Sequence, residues 1–170
     1  MSNTNGKRDI PDIKLEGARI VFRNFSGKPD KFNPQGGKRG FGLILPDKKF
    51  ADALVKDGWN VKELQSKDDT EDPTPFLPVK VNYGAISPTI YMVTKRNKTL
   101  LNEDTISLLD QADIENIDII VRPYQYDVRG EQGVAAYVKT MYVVIREDEF
   151  ASKYNGFDSP IDEPDELPFG

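Results

Sequence analysis

Apolar positions along this chain recur mainly every second residue, the period of a strand with one buried face. Over 18–25, Ala18, Ile20 and Phe22 fall on one side and Arg19, Val21, Arg23 and Phe25 on the other. That predicts a half-buried strand whose second face is basic and partly aromatic. A second strand is predicted over 41–45, ended by Pro46. Residues 76–83 alternate through Leu77, Val79, Val81 and Tyr83, with Pro78 pointing to an edge strand or a late start. Further strands are expected over 59–64 and 90–94. The longest alternations, 117–128 and 134–145, bracket Arg129-Gly130-Glu131-Gln132-Gly133, whose length and composition predict a hairpin loop.

Helical spacing is confined to two short stretches. Phe50, Ala53 and Leu54 stand at i, i+3 and i+4 in 48–56, behind the N-cap candidate Asp47 and before Gly58. Residues 103–111 fit a helical turn or two, with Ile106 and Leu109 inward. The fold class is therefore mainly β, with six to eight antiparallel strands and one or two short helices. The pattern leaves a small barrel and a sandwich both open. Residues 1–12 read as a loose arm and 13–149 as one domain. From 150 to 170 the β-branched residues stop and acids, Pro and Gly take over, so a disordered acidic tail is expected.

Composition narrows the chemistry. The 170 residues contain no cysteine and no histidine. Thiolate and imidazole metal sites, Cys nucleophiles and His-based triads are thereby excluded. No apolar run approaches membrane-spanning length and no secretory h-region opens the chain, so a cytoplasmic location is expected, with no membrane partner. The net charge of −5 is unevenly spread. From 147 to 170 eight acids face one base, a net −7, which leaves +2 for residues 1–146. The stretch 19–40 is richer still, with six bases against Asp30 alone.

Cations and aromatic rings share segments: Arg23 with Phe25, Lys31 with Phe32, Arg39 with Phe41, Arg122 with Tyr124 and Tyr126, Tyr137 with Lys139. A single strand of nucleic acid offers a charged backbone and bare base faces, which such a surface can hold by counterion release and stacking. The candidate DNA contacts are Arg23, Phe25, Lys28, Lys31, Lys38, Arg39, Arg122, Tyr124, Tyr126, Tyr137 and Lys139. Phe22, Phe41 and Trp59 are expected in the core, while Tyr83 and Tyr91 fit either role. Gly36-Gly37-Lys38-Arg39-Gly40 could cradle phosphates through backbone N–H groups. It is not a Walker A loop, since Arg39 follows Lys38 where that motif needs Ser or Thr. No cofactor and no metal are expected.

Two rival readings belong to other classes. Asp104, Asp110, Asp113, Glu115 and Asp118 could serve a Mg²⁺-dependent nuclease if they converged on one point. The acidic balance could instead suit a structural or DNA-mimicking interaction protein. RNA is a nearer alternative, because nothing in the sequence reads or rejects a 2′-hydroxyl.

The segment Asp162-Glu163-Pro164-Asp165-Glu166-Leu167-Pro168-Phe169-Gly170 joins acids to an apolar-Pro-Phe group. It resembles the acidic tip of bacterial single-stranded DNA-binding proteins, which ends in Asp residues followed by Ile-Pro-Phe. Leu167, Pro168 and Phe169 match that pattern and Gly170 departs from it. The body over 13–146 resembles the OB-fold DNA-binding proteins of phages: an early strand, a basic loop, a strand, a short helix and a late Tyr-rich hairpin. The resemblance implies an OB-type barrel of five or more strands that binds single-stranded DNA independently of sequence and is not an enzyme. It also implies a tail, through Asp162, Glu163, Asp165, Glu166, Leu167, Pro168 and Phe169, that recruits replication and recombination proteins; by charge alone, its acids could compete with DNA for the basic body. A homodimer is one assembly open to such a chain.

Overall fold

A computed structural model describes residues 9–31, 33–65, 72–84 and 86–146. Among these, nine strands form one sheet: β1 (Ile13–Leu15), β2 (Ile20–Asn24), β3 (Arg39–Ile44), β4 (Lys62–Leu64), β5 (Thr74–Val81), β6 (Thr89–Val93), β7 (Lys98–Leu101), β8 (Ile114–Val128) and β9 (Glu131–Ile145). One α-helix, α1 (Lys48–Asp57), and a 3-10 helix (Ile106–Asp110) complete the described elements.

The backbone of the sheet runs β1-β8-β9-β5-β3-β2, with β4 added beside β5 and β6–β7 beside β9. Most pairings are antiparallel, as alternation and short connections predict. Two are not. β9 accepts β5 in parallel at Ala136 and Tyr137, then β6 in parallel from Thr140 to Val144. The sheet is therefore mixed, and one edge of β9 is shared end to end by two strands. At Pro78 the neighbour of β5 changes from β4 to β9. A residue without an N–H is tolerated at that gap, so Pro78 sits in an interior strand and not at the predicted edge.

The core lies under one face of the sheet. Phe41 and Leu43 of β3, Leu77, Val79 and Val81 of β5, Ile117, Ile119 and Val121 of β8, and Val134, Ala136, Val138, Met141 and Val143 of β9 are buried together. On β9 the inward set changes from even to odd numbers after Val138. There Val121 pairs with Val138 and Ile120 with Thr140, so Lys139 is an extra residue in the ladder. Helix α1 begins as expected: the Asp47 carboxylate accepts from the Phe50 N–H at 2.8 Å, and Gly58 ends it at φ 98°. Its buried positions are Ala51 and Leu54; Ala53, expected inward, faces solvent. Trp59 is in the core and bridges to Val134.

Three further expectations are corrected. Residues 9–12 are not a loose arm, since Ile10 is buried in the core and Asp12 pairs with Lys139. The β8–β9 connection is two residues, Arg129-Gly130, not five. Both have positive φ, 54° and 85°, the geometry of a type I′ turn whose twist suits the strands on either side. Finally, the 18–25 alternation breaks. The β2–β3 register shifts between Val21 and Asn24, and Phe22 has φ 55°. This bulge turns Phe22 outward, 52 % exposed, and sends Phe25 fully into the core against Phe41. The tail over 150–170 and the end of the predicted domain lie outside the described residues.

Candidate nucleic-acid interface

The outer face of the sheet, opposite the core, carries the site. On β5 the inward set Leu77, Val79 and Val81 leaves Phe76, Pro78 and Lys80 outward. On β3 the outward positions include Gly40 and Gly42, which pair with Lys80 and Pro78. Neither glycine could carry a side chain here. A Cβ on Gly40 would collide with the Val79 carbonyl oxygen, and one on Gly42 would sit 2.8 Å from the Phe76 ring and 3.0 Å from Val21. Their bareness leaves a groove of about 320 Å³ over β3 and β5. Phe22 meets Phe76 edge to face at 5.6 Å along it. Pro78, Lys38, Lys62 and Lys80 also line it, with Asn24, Asp30 and Asn33 at the loop end.

The groove continues onto the long hairpin. Tyr137 of β9 stands between Lys80 of β5 and Arg122 of β8 in register. The Lys80 ammonium lies 5.7 Å from its ring centroid and the Arg122 guanidinium 5.5 Å. Tyr124, 53 % exposed, meets Tyr137 edge to face at 6.0 Å. Tyr126 lies lower, its ring against Gly133 across the strand pair. Arg122, Tyr124, Tyr126 and Tyr137 thus come together on one face, as the period-2 reading predicts.

The remaining predicted contacts divide between the groove, the core and the far side. Phe25 is buried and cannot stack on a base. Arg23 points to the far side, where its Nη1 donates to the carbonyls of Leu109 (2.7 Å) and Ala112 (2.8 Å) and clamps the 3-10 helix. Arg39 also lines the groove, while its Nε donates to the Phe25 carbonyl and its Nη1 pairs with Glu103 at 3.4 Å. Lys139 forms an exposed ion pair with Asp12 at 3.0 Å. Lys28, Lys31 and Lys38 are exposed in the loop after β2. Phe32 lies outside the described residues.

The 27–40 loop is not a phosphate cradle. Gly36 N–H donates to Asn33 O, and Gly37 N–H donates to Gly27 O at 2.6 Å, so neither is turned outward. The buried Asn24 organises the loop instead. Its Oδ1 accepts from the N–H groups of Gly27 and Lys28, and its Nδ2 donates to Lys28 O and Asp30.

The carboxylates suspected of metal chemistry diverge. Asp110 accepts from the Phe25 and Ser26 N–H groups, Asp113 and Glu115 face Arg146, and Asp118 accepts from Gly17 N–H and Asn116. No group of three acids among the described residues could hold a metal ion.

Phe22, Phe76, Lys62 and Lys80 are site residues that the sequence reading missed. For Phe76 and Lys80 the signal was present, since an inward Leu77, Val79 and Val81 forces them outward.

Residues 2–166 match a protein-family model described as "Putative phage ssDNA-binding domain". Among solved structures, the single-stranded DNA-binding protein of bacteriophage Enc34 in complex with ssDNA is similar over 81 % of this chain and 87 % of that one. Its identity is 13 % and the TM-score 0.49. The gp2.5 single-stranded DNA-binding protein of bacteriophage T7 is similar over 84 % and 94 %, at 14 % identity and TM-score 0.40. No curated protein matches in sequence.

Proposed function

The chain belongs to the phage single-stranded DNA-binding domain family, and on that premise we propose that its outer sheet face holds the strand without reading its sequence. Membership makes it a phage single-stranded DNA-binding protein, in a family described by what it binds and not by a reaction. The finer reading is an OB-type body whose groove over β3 and β5 seats a base against Phe22 and Phe76. The next base stacks on Tyr137 and Tyr124, while Lys62, Lys80 and Arg122 meet the phosphates. One observation carries it: Tyr137 stands between Lys80 and Arg122, beside a groove floored by two glycines. Rings and cations at that spacing match a polyanion with exposed flat faces. The rings of Phe22 and Phe76 stack on any base face alike, which favours sequence independence.

The protein acts, in this reading, on strands exposed during replication and recombination in the host cytoplasm. The acidic tail competes with DNA for the groove and engages partner proteins through Leu167, Pro168 and Phe169. The test is fluorescence anisotropy of labelled dT oligomers against a duplex of equal length at two salt concentrations. Preference for the single strand is expected, with a log–log salt slope of about −0.7 per phosphate contact, so near −2 for three cations. Phe76→Ala and Tyr137→Ala should each weaken binding by about 1–3 kcal/mol. Equal binding of duplex, or unchanged affinity in both variants, would remove the groove from the function.

A further inference from the structure

We propose that the β6–β9 pair carries a second nucleobase-stacking patch, formed by Tyr91, Tyr142 and Lys98, onto which single-stranded DNA extends from the main groove. The proposal rests on the groove reading and deepens it by setting the length of strand the protein engages.

The two tyrosines face each other across the parallel β6–β9 ladder and stack at 4.9 Å with 21° between their planes. Lys98 of β7 lies over both rings, 4.8 Å from Tyr91 and 5.8 Å from Tyr142. A cross-strand aromatic pair can exist for packing alone. Three observations go further.

The patch is open: Tyr142 is 37 % exposed, and Leu100, paired with Tyr91 on β7, is 58 % exposed. Its segment is basic in sequence. Residues 89–101 contain Lys95, Arg96 and Lys98 and no acid, and Lys98 forms no ion pair among the described residues. Asp118, opposite Tyr142 in register, makes no ion pair with Lys98 among the described residues; its Oδ1 accepts from Gly17 N–H and Asn116 Nδ2. The patch also lies on the same face of β9 as Tyr137. Tyr137 and Tyr142 are both outward on β9, because the extra residue at Lys139 shifts the alternation by one between them.

Five residue steps along β9 separate the two tyrosines, at most roughly 16 Å at 3.3 Å each. That is at most about five nucleotides at the 3.4 Å per-strand spacing of stacked DNA, and fewer in a stretched strand. A strand leaving Tyr137 along β9 therefore meets a ring pair and the Lys98 ammonium above it within a few nucleotides. Charge and chemistry favour its continuing there.

The experiment is an anisotropy series with the full chain and dT oligomers from about 4 to about 16 nucleotides. Wild type should gain affinity again once the oligomer outgrows the groove. Tyr142→Leu and Lys98→Gln should leave the shortest bound oligomer unchanged and lose that second gain, roughly 5- to 100-fold for the ring. Tyr142→Phe, which keeps the ring, should retain it. Lys98→Glu, at an exposed position, repeats the test without risk to packing. Unchanged length dependence in both Tyr142→Leu and Lys98→Glu overturns the proposal. Failure of wild type to bind any oligomer overturns the groove reading itself, a different and separable result.

Discussion

Tyr83 follows β5 and packs beside the core, with its hydroxyl buried and unpaired among the described residues. Burial pushes the phenol above its usual value near 10, Arg39 pulls it down, and Glu103 pushes it up again. This half-buried ring is packing, not a stacking platform. A buried hydroxyl without a partner costs about 1–3 kcal/mol, so Tyr83→Phe should be neutral or stabilising in urea unfolding. The pH sign is fixed as well. Above about pH 10 the unfolded phenol ionises before the folded one, so stability falls as pH rises through the folded value. Tyr83→Phe should flatten that alkaline decline; a variant that is less stable and declines as before would assign the hydroxyl a partner. At this scale the candidate site was half legible. Arg122, Tyr124 and Tyr137 lie as the alternation predicts. Phe25 and Phe22 exchanged roles because a bulge at positive φ leaves no mark in the pattern of residue types. Arg23 and Arg39 were spent on carbonyls and Glu103, a choice made by distant chain segments that local sequence cannot see.

Elements with their signals close at hand were read well. Asp47 and Gly58 bound α1, and two long alternations gave the β8–β9 hairpin. Strands β1 and β7 were not read, since three or four residues carry too little period, and parallel partners such as β5–β9 depend on contacts distant in sequence. The hairpin turn shows what a non-optimal local choice costs. Arg129 holds φ 54°, a left-handed conformation that strains most L-residues but suits Asn. Arg129→Asn places the favoured Asn-Gly pair in the type I′ turn. It should add about 1 kcal/mol, or roughly 2–4 °C in Tm for a chain of this size. Calorimetry checks this, and an unchanged Tm would mean the turn carries no strain. Arg129 is remote from the groove in register, so affinity for short dT oligomers should stay constant.

Over the whole molecule the decisive quantity is where charge sits, not its sum. A net −5 looks unsuited to a polyanion, yet residues 1–146 carry +2, and Lys62, Lys80 and Arg122 border one ring-lined face. Deleting 150–170 removes five acids and Lys153, bringing the chain from −5 to −1. If those acids compete with DNA for the groove, the shortened chain should bind dT oligomers as tightly as the full chain or more tightly. The gain should be largest at low salt, where charges interact over about 30 Å at 0.01 M, and should shrink toward nothing near 1 M, where the range is about 3 Å. A general effect of net charge would also speed association with any polyanion, so heparin serves as the control. Rivalry for the groove predicts that Lys80→Gln, which weakens the tail's target along with the DNA's, diminishes the benefit of the deletion. Simple repulsion predicts that the benefit survives it. A truncated chain that binds more weakly at every salt concentration would make the tail a contributor to DNA binding and end the competition reading.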